Sequence, residues 1–121
     1  MAGKKTVVIG ASEKEERYAN MAVKRLKQHG HEVIAVGNRA GAIDGTPILT
    51  GSPEVDNVDT VTLYVGPRNQ PALYDYILSL KPKRIIFNPG AENDELASLA
   101  KKNNIQPIEA CTLVMLSTNQ Y

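Results

Sequence analysis

Thr6-Val7-Val8-Ile9-Gly10-Ala11-Ser12 is the stretch that decides the fold. Thr6 to Ile9 are all β-branched and leave no clearly polar face, the pattern of a strand buried on both sides, and Gly10 ends the run. Ala19 to His29 then follows helical spacing. Ala19, Ala22, Val23 and Leu26 fall on one side, and Lys24, Arg25, Lys27 and Gln28 on the other. Gly30 supplies a C-terminal stop. Val33-Ile34-Ala35-Val36 is a second apolar strand, closed by Gly37-Asn38. Two strands without a polar face, joined by an amphipathic helix, predict a right-handed parallel unit.

The same alternation continues outward. Thr46-Pro47-Ile48-Leu49 reads as a short edge strand, where a proline is tolerated. Ser52-Pro53-Glu54 resembles a helix start, with Ser at the cap and Pro at the first position. Thr60 to Val65 is a strand ended by Gly66-Pro67, and Leu73, Tyr76, Ile77 and Leu80 are spaced for one face of a helix. Arg84 to Phe87 is a strand ended by Asn88-Pro89-Gly90, and Leu96, Leu99 and Ala100 mark another helix. Ile105 to Glu109 is a last strand, and Cys111 to Ser117 a final turn or two of helix. The expectation is an α/β chain of the three-layer Rossmann-like class, with a mostly parallel sheet, helices on both faces and residues 1–121 in one domain. The strand at Thr6 should lie at its centre, flanked by those at Val33 and Thr60.

Bulk composition agrees. The chain has 121 residues, 42% of them hydrophobic, enough for a core without staples. Lys and Arg number 14 against 13 Asp and Glu, so there is no basic excess for nucleic acid or an acidic membrane. A single cysteine, Cys111, rules out an internal disulfide. The N-terminus has no signal-peptide pattern and no apolar run is of bilayer length, which reads as cytoplasmic.

In an open parallel sheet, ligands bind beyond the C-terminal ends of the strands, where strand order reverses. Four such ends carry small or turn-forming residues: Gly10-Ala11-Ser12, Gly37-Asn38-Arg39, Gly66-Pro67 and Asn88-Pro89-Gly90. Any one of them serves simply to end a strand; four on one edge point to a site. The first loop is a poor dinucleotide fingerprint, because Ser12 and Glu15 stand where the second and third glycines would be. An NAD enzyme commonly places an acid after the second strand to hold the ribose hydroxyls; this chain has Asn38-Arg39. Arginine there suits an additional ribose phosphate, as in coenzyme A or NADP, unless it is a solvated surface side chain.

Val8-Ile9-Gly10-Ala11-Ser12, Arg17-Tyr18-Ala19-Asn20, the run from Leu26 to Val36, Tyr64-Val65-Gly66-Pro67 and Glu109-Ala110-Cys111 together resemble the small stand-alone CoA-binding proteins. Their Rossmann domain is similar to the CoA-binding domain of the succinyl-CoA synthetase alpha subunit. The resemblance implies coenzyme A as cofactor. It places Ser12, Glu13 and Lys14 near the pyrophosphate, with Arg17 and Tyr18 beside it. It places Arg39 at the ribose phosphate, and Tyr64 to Pro67 and Asn88 to Gly90 along the adenosine and pantetheine. Proline is frequent after the second strand of that family, where this chain has Gly37-Asn38.

No catalytic constellation or metal-ligand spacing stands out. His29 and His31 flank Gly30 at the edge opposite the expected site and read as surface or capping residues. Cys111 reads first as a small buried hydrophobe; facing the ligand thiol, it would form a mixed disulfide under oxidation. The chain is expected to lack acyl-CoA synthetase chemistry of its own, since binding alone does not accelerate a reaction. A stand-alone module for CoA or an acyl-CoA is the first reading. A minimal NADP reductase and a regulatory or interaction domain with a vestigial pocket are the alternatives. A homodimer or an unidentified protein partner stays open.

Overall fold

The computed structural model describes residues 3–121. Seven strands form one sheet: β1 (Thr6–Ile9), β2 (Val33–Val36), β3 (Gly41–Ile43), β4 (Thr46–Leu49), β5 (Thr60–Leu63), β6 (Arg84–Phe87) and β7 (Gln106–Glu109), in the order β3-β4-β2-β1-β5-β6-β7. All neighbours are parallel except β3 and β4. β1 is central, with Thr6 paired to Val33 on one side and Thr60 on the other. Strand order therefore reverses at β1.

Alternate residues face opposite layers. Val7, Ile9, Val36, Val61, Leu63, Ile85 and Phe87 pack beneath α2 (Tyr74–Ser79) and α3 (Asp94–Lys102), through Ile77, Leu96 and Ala100. Val8 and Ala35 face the other way, onto Ala19, Val23 and Leu26 of α1 (Tyr18–Gln28) and Leu116 of α4 (Thr112–Ser117). This is the three-layer Rossmann-like arrangement expected from strands with two apolar faces. No described helix is long and apolar enough to cross a membrane.

Four details differ from the sequence reading. Thr46–Leu49 is not an edge: Gly41–Ile43 pairs outside it, through a turn in which Asp44 (φ 46°) and Gly45 (φ 80°) are both left-handed. That is the conformation of the tight hairpin turn favoured by Asp-Gly. Pro47 is accommodated because pairing with β2 begins only at Ile48. Second, Ser52-Pro53-Glu54 starts no helix; residues 50–59 are irregular. Asp56, Asn57 and Asp59 favour turns over helix, and Asn57 has φ 58°. Third, β5 stops at Leu63, because the carbonyl of Val65 turns to accept from Gln70 Nε2 at 2.8 Å. Fourth, the helix expected around Leu73 is divided: Pro67–Asn69 and Pro71–Leu73 are two 3-10 turns before α2. A proline opens each.

The N-terminal edge of the sheet is closed by Tyr121. Its hydroxyl meets Thr6 Oγ1 at 2.6 Å, and its ring lies 4.8 Å from His31 and 4.5 Å from the Arg84 guanidinium. His29 caps the end of α1, and His31 Nδ1 accepts from the Lys4 N–H at 2.9 Å. Both histidines thus lie at the edge they were expected to occupy. Burial lowers the His31 pKa, and His29, Lys4 and Arg84 lower it further against a small opposing effect of Asp59. The folded state therefore binds this proton less readily than the unfolded chain. The stability so conferred is present above about pH 6.5 and is lost as pH falls through that value towards the lowered folded pKa. Melting temperature should fall between roughly pH 7.5 and 5.5 in the wild type, and less steeply in His31→Gln, which keeps an acceptor without the titration. Identical slopes in the two proteins would show that His31 is not the group responsible.

Candidate functional site

The register brings the candidate loops to one edge. Ile9 lies beside Val36 and Leu63, and Leu63 beside Phe87, so the segments after β1, β2, β5 and β6 emerge side by side. Two glycines make the close fit. At Gly10, φ is 99° and a Cβ would come within 3.1 Å of the Tyr64 backbone. At Gly37 a Cβ would lie 2.3 Å from the Ala11 carbonyl oxygen. The first loop therefore rests directly on the end of β2, a position only glycine permits.

Within that loop Ser12 is half-buried. Its Oγ accepts from the Lys14 N–H at 3.1 Å, and its carbonyl accepts from Asn20 Nδ2 at 2.9 Å. Asn20 is only 2% exposed, and its Oδ1 has no partner among the described residues. Lys14, Arg17 and Tyr18 are exposed around the start of α1. Arg17 caps that helix without a side-chain hydrogen bond, and the first turn contains no acid. α3 is the opposite case: Asn93 Oδ1 accepts from the N–H groups of Glu95 and Leu96, and Asp94 and Glu95 sit in the first turn. The free N–H groups and positive dipole end of α1 are thus left for an external anion, with two cations alongside. Across the loop, Asn38 and Arg39 are exposed, and Arg39 forms no ion pair among the described residues.

Other candidates have different roles from those expected. Glu13 does not point at the start of α1; its Oε2 accepts from the Ala42 N–H at 3.0 Å. Asn88 turns inward and is 1% exposed. Its Nδ2 donates to Thr62 Oγ1 (2.7 Å) and the Leu63 carbonyl (3.0 Å), and its Oδ1 accepts from the Thr112 N–H (2.8 Å). Pro89 and Gly90, like Gly66 and Pro67, stay at the surface, while Val65 is half-buried. The chain after β7 doubles back across β6 and β5, since Thr112 Oγ1 also meets Thr62 Oγ1 at 2.7 Å. This brings Cys111 beside Tyr64, half-buried rather than sealed in the core. Burial is the main cause that pushes the Tyr64 phenol up to about 12, and its hydroxyl, close to Thr62 and Thr112, lacks hydrogen-bond geometry to either.

Sequence reasoning missed Gln70. It is fully buried; its Nε2 donates to the carbonyls of Val65 (2.8 Å) and Ala91 (2.7 Å), and its Oε1 accepts from Asn93 Nδ2 (2.8 Å). One side chain thereby fixes the loops after β5 and β6 to each other. Two solvent-open clefts lie elsewhere. One, of about 720 Å³, runs along Lys4, Lys5, Asp59 and Lys83; the other, of about 590 Å³, lies between Ser52–Asp56 and α2. Neither is lined by a candidate residue, and the first is at the opposite edge from the strand reversal.

A protein-family model described as a CoA binding domain matches residues 4–117. The chain belongs to this CoA-binding domain family. A solved structure of an uncharacterized protein is 52% identical, with TM-score 0.97 and full coverage of both chains. A hypothetical protein from Pyrococcus horikoshii OT3 is 24% identical over 96% of this chain and 83% of its own, with TM-score 0.85. An acetyl-coenzyme A synthetase from Ca. Korarchaeum cryptofilum is 17% identical, with TM-score 0.73; the match covers 89% of this chain and 26% of that one. The last two likenesses concern the fold. No curated protein matches the sequence.

Proposed function

We propose that the chain binds coenzyme A, or an acyl-CoA, across the C-terminal edge of its sheet, as a module without chemistry of its own. The observation that carries this reading is the start of α1: an uncapped helix N-terminus with no acid in its first turn, flanked by Lys14 and Arg17, at the point where strand order reverses. Membership of the CoA-binding domain family supports the choice among nucleotide ligands. The pyrophosphate lies against the first turn of α1, with Ser12 and the Lys14 and Arg17 side chains around it. Tyr18, 66% exposed on the same turn, offers an uncovered ring for the ligand to lie against. Arg39 meets the ribose phosphate. The pantetheine arm runs past Gly66 and Pro67, and past Pro89 and Gly90, towards Tyr64 and Cys111. A Cys111 nucleophile would have no histidine to activate it, as both lie at the other edge.

A thermal-shift panel with CoA, acetyl-CoA, NAD and NADP tests the reading. A ligand that binds only the folded chain adds about 2.7 kcal/mol of stability at a hundred times its Kd. CoA and acetyl-CoA are expected to raise the melting temperature, and NAD and NADP to leave it unchanged. A shift with NADP and none with CoA would replace this reading with the reductase alternative.

A further inference from the structure

The first loop does more than surround the start of α1. Its root lies on β2, where the Ala11 carbonyl occupies the space a Gly37 side chain would need. Glu13 then reaches beyond β2 to the sheet edge. Its Oε2 accepts from the Ala42 N–H at 3.0 Å, and its carboxyl group packs on Gly41, where a Cβ would lie 2.3 Å from Glu13 Cδ. Ala42 faces Pro47 across the hairpin at a non-hydrogen-bonded position, next to the Ile43–Thr46 pair that closes the two-residue turn, so its N–H points away from β4. The outward N–H of Ala42 is thus taken by a carboxylate from another part of the chain. The loop spans from β1 across the end of β2 to β3, alongside the Asn38-Arg39-Ala40 connection.

Glu13 forms no ion pair among the described residues, although Lys14, Arg17 and Arg39 are all in the surrounding segments. Its negative charge has found a backbone N–H donor, as an anionic ligand would. We propose that Glu13 is an intramolecular clasp. In the unliganded chain it holds the first loop across the end of β2 and occupies ground that the ribose-phosphate end of the ligand needs. This inference rests on the proposed CoA reading and adds a competition to it: the ligand enters only the fraction of molecules in which Glu13 has left Ala42. The apparent Kd is then the intrinsic Kd divided by that open fraction.

Two variants open the clasp by different means. Glu13→Ala removes the carboxylate. Gly41→Ala keeps it and displaces it: the three atoms nearest the new methyl all belong to the Glu13 carboxyl group, and Gly41 is not left-handed. Titration calorimetry and stopped-flow binding of CoA to each full chain provide the test. Each variant is expected to bind CoA about three- to tenfold more tightly than the wild type, with the gain in the association rate. The double variant should gain no more than either single one, because both act on one contact. If the wild type binds CoA and the variants bind equally or less well, the clasp is wrong and the CoA reading survives. A gain in Glu13→Ala alone would assign the effect to lost charge and also overturn the clasp. If only the variants bind, both ideas stand. If none of the proteins binds, the CoA reading fails and the clasp with it.

Discussion

Asn88→Ala is expected to remove about 3–4 kcal/mol of folding stability, and with it roughly 10–20 °C of melting temperature. The side chain makes three buried hydrogen bonds, to Thr62, Leu63 and Thr112. Their loss is unequal. Thr62 Oγ1 keeps its contact with Thr112 Oγ1, whereas the Thr112 N–H has no other partner among the described residues. Thr112 is fully buried, so that donor carries its full desolvation cost. A cavity adds to the loss. Asn88→Asp separates the two causes. It preserves shape and the bond from Thr112, but replaces the amide donor aimed at the Leu63 carbonyl with an acceptor. A buried acid has a raised folded pKa, so this variant should be destabilised at neutral pH and recover as pH falls and the acid is protonated. Scanning calorimetry of both variants across pH checks this. A melting temperature for Asn88→Ala within about 3 °C of wild type would remove Asn88 from its place as the hub between β5, β6 and α4.

Asn88 also marks the boundary of what the sequence makes legible. The centre of the sheet could be read because the strands around Val7 and Ile34 present apolar residues to both faces, and only a sheet covered by helices on each side satisfies that pattern; the strand around Val61 joins them with Val61 and Leu63 on one face and threonines on the other. The β3–β4 hairpin carried a signal too, in Asp44-Gly45, but Pro47 drew the reading towards an edge strand. Ser52-Pro53-Glu54 shows the reverse error, cap chemistry with no helical period behind it. Candidate site positions were legible at the level of loops, because glycine and proline after an apolar run mark strand ends whatever the tertiary context. The direction of each side chain was not. Asn88, Gln70 and Glu13 are polar residues in polar-looking loops, and whether each faces ligand or backbone depends on partners 21 to 29 residues away in the chain. No local pattern encodes that distance.

Arg39→Ala is expected to weaken CoA binding by about five- to a hundredfold while changing dephospho-CoA binding little. Arg39 is two residues beyond Gly37 at the end of β2, where a Rossmann fold meets the adenosine ribose. Its guanidinium is exposed and has no carboxylate partner among the described residues, so Arg39 has no ion pair of its own to break when a phosphate arrives. A planar fork of donors matches phosphate oxygens in a way an ammonium cannot. Arg39→Lys should therefore keep the long-range attraction and lose most of the short-range bonding, giving an intermediate affinity. The decisive quantity is the ratio of the two dissociation constants, dephospho-CoA over CoA, measured by calorimetry at fixed ionic strength. General damage to the site changes both constants together and leaves the ratio unchanged. Loss of a phosphate-reading arginine moves the ratio towards one. An equal weakening for both ligands would show that Arg39 does not read the ribose phosphate, and that the cation doing so lies elsewhere on the edge.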